Sequence, residues 1–134
     1  GTIRPKKDDD LAARLSLLHN RLSVIIKKHE PDEAAVEDVF TAKNASSALK
    51  LGQARGALLA ALGSAEIAVT GYSPTQVKKS LVGHGRAEKE QLAFMVAQIL
   101  GVAKPKWAKD ASDALSVAVC HLNMRRFNKL AGLS

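Results

Sequence analysis

The 134 residues are 46% hydrophobic and 25% charged, which excludes a disordered chain and fits one compact domain over residues 1–134. Lys and Arg outnumber Asp and Glu by 20 to 13, a formal charge of +7, so nucleic acid is the favoured partner and a merely solvated basic surface the alternative. A single cysteine excludes an intrachain disulfide and fits a reducing, cytoplasmic compartment, and no apolar run is long enough to span a bilayer.

The chain opens on Gly1 without an initiator Met or a signal-peptide pattern, as if its beginning had been removed. A short strand is expected around Ile3, ended by Pro5. Leu11, Leu15, Leu18, Leu22, Ile25 and Ile26 then recur at helical spacing. Asp8, Asp9 and Asp10 precede this helix as a solvated cap, and Lys27, Lys28 and His29 end it, the charge order a helix dipole favours. Residues 34–40 (AAVEDVF) read as a strand. Asn44 caps a second helix to about Leu62, apolar on nearly every side in its later part, with Gly52 and Gly56 open to close approach. That surface points to a subunit interface, with internal packing the alternative. Residues 65–72 (AEIAVTGY) read as another strand, and Ser73 or Pro74 opens a short helix through Leu81. After a Gly83-His84-Gly85 turn, a helix over residues 86–100 should face Leu92, Met95, Val96 and Ile99 inward, with Phe94 also in the core. A last helix from Lys109 or Asp110 should bury Ala114, Leu115, Val117, Ala118 and Leu122, with Cys120 a small core residue. A basic, loose tail is expected over about residues 123–134. Alternating strands and helices predict an α/β layered fold, with no internal repeat.

Three carboxylates stand out. Glu37 lies in an apolar strand, where a charge is costly unless paired or metal-bound; a strand end facing water is the alternative. Asp110 and Asp113, three apart at the front of a helix, share one face; alone, such a pair is more often a cap and dipole partner than a ligand set. Together the three could converge on hard cations such as Mg²⁺ or Mn²⁺, and two such ions can drive phosphodiester hydrolysis. Lys78 and Lys89 flank the Gly83-x-Gly85-Arg86 turn, where exposed N–H groups welcome phosphate, and Arg86 is a candidate DNA contact. This turn lacks the spacing of a nucleotide P-loop. Phe40 is either core or an aromatic able to stack on an unpaired base. The histidines are scattered, and Cys120 and His121, on different sides of a helix, do not make a zinc pair.

The segment AVEDVFTAKNASSALKLGQARGALLAAL (residues 35–62) closely resembles the central block of RuvC-type Holliday junction resolvases. So do QVKK (76–79), VGHGRAEKEQL (82–92) and DASDALSVAVCH (110–121). The resemblance covers nearly the whole chain in order. It implies an RNase H-like α/β fold, a mixed central sheet flanked by helices, and a bacterial homodimer. The implied activity is symmetric cutting of four-way DNA junctions, leaving 5′-phosphate and 3′-hydroxyl ends. It makes Glu37, Asp110 and Asp113 metal-binding catalytic carboxylates for Mg²⁺, with Mn²⁺ as substitute and two ions per site. Lys78 and Lys89 would hold the scissile phosphate, Phe40 would stack near the crossover, and Lys43 would contact DNA beside it. The helix at about residues 44–62 matches the family's dimerisation helix, and the branch-migration proteins RuvA and RuvB are implied partners.

One departure stands beside this match. Family members begin with a strand ending in Asp-Pro-Gly, whose Asp is a fourth metal ligand, and nothing here matches it. Residues 1–5 resemble the start of the family's third strand. The expectation is a fragment lacking two strands, inactive alone and stabilised by oligomerisation or segment swapping. A non-catalytic junction-binding or structural domain is the alternative in a different class. An RNase H-like nuclease acting on RNA or replication intermediates is a third.

Overall fold

The computed structural model describes residues 1–38 and 44–133. In chain order the elements are α1 (Leu11–His29), β1 (Glu33–Glu37), α2 (Ala45–Ser64), β2 (Ala68–Tyr72), α3 (Pro74–Val82), α4 (Lys89–Ile99) and α5 (Lys109–Leu130). The expected α/β class is observed. Among the described residues β1 and β2 form a two-stranded parallel sheet, with α2 as the crossover a parallel pair requires.

Local chemistry sets most boundaries. Asp10 caps α1, its Oδ1 accepting from the Ala13 N–H at 2.7 Å, and Glu30 closes the helix in a left-handed conformation. Asn44 caps α2 by accepting from the Ser47 N–H at 2.8 Å. Ser73 and Gln76 form a reciprocal capping box on α3, Pro74 takes its first position, and Gly83, with φ of 82°, ends it.

Two compact units divide the chain. In the unit holding described residues 3–34 and 44–69, α1 packs on α2, and Ile26, Ala61 and Leu62 are buried. Gly52 and Gly56 face open space. The other unit holds residues 1–2, 35–38 and 70–133. There α3, α4 and α5 pack on one another around Tyr72, Val77, Leu81, Leu92, Val96, Val117 and Cys120, joined by partly buried Ala35 and Trp107. Asp38 extends the β1–β2 pairing, donating its N–H to the Tyr72 carbonyl at 2.9 Å.

Several expectations are corrected. No strand forms at Ile3: residues 1–6 carry no regular structure, and Pro5 offers no N–H to a ladder. Helix α4 starts at Lys89 rather than 86, leaving Arg86 in the turn. Phe94 is 61% exposed, because it sits about 200° around the helix from buried Leu92. Ile99 shares the Leu92 azimuth but ends the helix, and it is half exposed. Helix α5 buries Ser112, Ser116, Val117, Val119, Cys120 and His121, while Ala114, Ala118 and Leu122 face out. Cys120 and His121 are therefore both inside. The basic tail is helical, since α5 continues to Leu130.

Candidate active site

The unit built on α3, α4 and α5 carries Glu37, Lys78, Arg86, Lys89, Asp110 and Asp113. Glu37 is the last residue of β1 and the most exposed of its five, the other four being partly buried. Lys89 is the first residue of α4, and Asp113 lies one turn into α5. Packing of α4 on α5 brings Lys89 Nζ to 3.3 Å from Asp113 Oδ2. Both side chains remain open, 77% and 48% exposed, so the pair contributes about 0–1 kcal/mol to stability. Its significance is positional: it sets a cation against a carboxylate at the helix–helix junction.

Glu37 belongs to the same electrostatic cluster. Desolvation raises its carboxyl pKa above the ordinary glutamate value, the Asp113 carboxylate raises it further, and the Lys89 ammonium lowers it. The residue as a whole keeps solvent contact, so the desolvation is partial. Two acids from a strand end and a helix thus lie within each other's field, with one ammonium between their demands.

The other predicted residues are placed as follows. Asp110 lies exposed in the first turn of α5, whose N-cap is Ala108, so it favours the helix dipole and does not act as the cap. The structure does not gather it with Glu37 and Asp113: among the described residues no three His, Cys, Asp or Glu side chains lie together as a metal cluster. Lys78 is partly buried on α3, and Arg86 is exposed in the α3–α4 turn. Phe40 and Lys43 lie outside the described residues.

Two close approaches in this unit depend on glycine. Asp38 covers Gly71 of β2 so closely that a Cβ there would meet its carboxylate oxygens at 2.5 and 2.8 Å. Gly71 therefore accommodates the acid next to Glu37. Gly85 likewise lets the α3–α4 turn approach α3, since a Cβ would lie 2.9 Å from Thr75 Cγ2. The glycines at 83 and 85 hinted at the turn, but nothing in the sequence hinted at the Asp38–Gly71 contact.

A family model described as crossover junction endodeoxyribonuclease RuvC matches residues 1–121. The chain belongs to the RuvC family. The enzyme of that name from Oleidesulfovibrio alaskensis is 56% identical over 131 residues, 98% of this chain and 78% of the relative. The one from Nitratidesulfovibrio vulgaris is 54% identical over the whole chain and 80% of its own length. Among solved structures, Thermus thermophilus RuvC superposes with a TM-score of 0.86 at 33% identity, covering 94% of this chain and 76% of that one. T. thermophilus RuvC in complex with Holliday junction substrate gives a TM-score of 0.89 at the same identity and coverage. The RuvC likeness thus holds in both sequence and fold, and the RNase H-like reading with it.

Proposed function

We propose that the chain is the body of a Holliday junction resolvase, recognising four-way DNA and hydrolysing phosphodiesters at the crossover as one nuclease domain over residues 1–134. The observation that carries this reading is the Glu37–Asp113–Lys89 cluster at the meeting of β1, α4 and α5. It is supported by family membership and by the likeness to a RuvC bound to Holliday junction substrate.

In this reading Glu37 and Asp113 hold divalent metal, with Asp110, three residues earlier on the same helix, as the third carboxylate that the family resemblance assigns. Carboxylate oxygens suit Mg²⁺, with Mn²⁺ as substitute, and the Lys89 ammonium beside Asp113 marks a place where positive charge is already favoured. Two such ions, when bound, supply Lewis-acid activation and charge neutralisation for phosphodiester hydrolysis. The chain's own cations do the rest of the electrostatic work. Lys78 and Lys89 offset the charge that develops on the phosphate, and Arg86 steers the backbone past the α3–α4 turn. Phe40 and Lys43 engage the DNA near the crossover. The α2 face around Gly52 and Gly56 pairs with a second copy, a reading supported by the open space around both glycines and by exposed Leu49 and Leu51. RuvA and RuvB are its functional partners. No described helix is long and apolar enough to cross a membrane.

The test is a synthetic four-way junction with Mn²⁺, comparing the native chain with Glu37→Gln. Junction binding should survive the substitution while Mn²⁺ affinity and cleavage fall together. Salt-sensitive junction binding without cleavage by this chain would favour the non-catalytic, junction-binding alternative. Cleavage by Glu37→Gln at the native rate would remove the mechanism.

A further inference from the structure

The site contains its own competitor for the metal. Lys89 Nζ already engages Asp113 Oδ2 at 3.3 Å, and its charge also reaches Glu37. A divalent cation on Asp113 would meet this ammonium at the same oxygens. Two positive charges that close repel, and the divalent ion has the stronger claim on a carboxylate. Lys89 has somewhere to go. It sits on the first residue of α4, its side chain is 77% exposed, and its stem is long and flexible. Asp113 has less freedom, being on a shorter side chain one turn into a helix whose inner face is buried.

We propose that Lys89 and the divalent cation exchange on Asp113, so that metal loading releases the ammonium to engage the scissile phosphate. The inference rests on the reading of Asp113 as a metal ligand and adds an order of events to it. Without metal, Lys89 neutralises the acids and is held back from DNA. With metal, the same charge becomes available to phosphate. Lys89 is here a positioning residue first and a phosphate contact second. By linkage, the factor by which Lys89 pairing weakens metal binding is the factor by which bound metal weakens the Lys89–Asp113 pair.

The test is calorimetric titration of Mn²⁺ into the full chain without DNA, so that no catalysis is read. Lys89→Met removes the charge at similar length and should tighten Mn²⁺ binding by about two- to fivefold, the upper part of the range expected for losing an exposed competing ion pair. Lys89→Arg keeps the charge and should show none of this tightening. Lys79→Met, on α3 outside the cluster, should also bind natively. In parallel, the side-chain ¹⁵N resonance of Lys89 should shift on adding diamagnetic Mg²⁺. Unchanged or weakened binding in Lys89→Met overturns the exchange. Asp113→Asn separates the two levels. If it weakens Mn²⁺ binding while Lys89→Met fails to tighten it, only the exchange fails. If Asp113→Asn has no effect, or no chain binds Mn²⁺, the metal-site reading falls and the exchange with it.

Discussion

The Tyr72 hydroxyl and His121 Nδ1 share a buried hydrogen bond of 2.9 Å, with the rings edge to face at 72°. This ties the end of β2 to the middle of α5 from inside the core. Tyr72→Phe keeps the ring packing and removes that bond, so it should cost about 1–2 kcal/mol in chemical denaturation; no loss of stability would show that the bond is neutral in the fold. Glu37 gives a pH-dependent prediction. Its folded carboxyl binds a proton more readily than in the unfolded chain, mainly through desolvation and then Asp113. The associated stability is fully present below the ordinary glutamate range and is lost as pH rises through the raised folded value. In chelator-containing buffer, the melting temperature of Glu37→Gln should therefore gain on the native chain as pH rises from about 4 to about 7. A constant difference between the two chains would refute this. Glu37 was recognisable in the sequence because a charge inside an apolar strand calls for a partner. Its neighbours were not readable there: the Asp113 carboxylate and the Lys89 ammonium act on it through the fold, and the packing of α4 on α5 sets those two against each other.

At the scale of elements, start signals were the most legible feature. Asn44, Ser73-Pro74 and Asp10 mark where α2, α3 and α1 begin, because a cap satisfies orphan N–H groups within three residues of itself. Gly83 ends α3 with φ of 82° and has no neighbour in the way of a Cβ, so its role is conformational. Gly83→Ala should cost about 1–2 kcal/mol in thermal or urea unfolding, the penalty of a left-handed L-residue, and substitution by Asn should cost less. Helix α5 shows where such reading stops. Small and apolar residues occur all around it, so Ala114, Ala118 and Leu122 form as good an inward stripe as the true one. The buried stripe contains Ser112 and Ser116, which hydropathy disfavours, yet the Ser116 hydroxyl is satisfied by donating to the Ser112 carbonyl at 3.0 Å. Only the partner helices α3 and α4 choose between the two faces.

For the molecule as a whole, the charge of +7 predicts junction binding that weakens steeply with salt. Replacing one phosphate-contacting lysine should lower the slope of log affinity against log salt concentration by about 1. Lys78→Met should do so across junction sequences, and an unchanged slope would remove Lys78 from the phosphate contacts. Composition, caps and the order of motifs determined the α/β class, the element succession and the RuvC family, because each is encoded by residues close together in the chain. Tertiary structure decided which face of α4 and α5 is inside, that Phe94 is not core, and that Lys89 meets Asp113. These depend on residues about twenty or more positions apart, and periodicity within one helix carries no information about the surface it will meet.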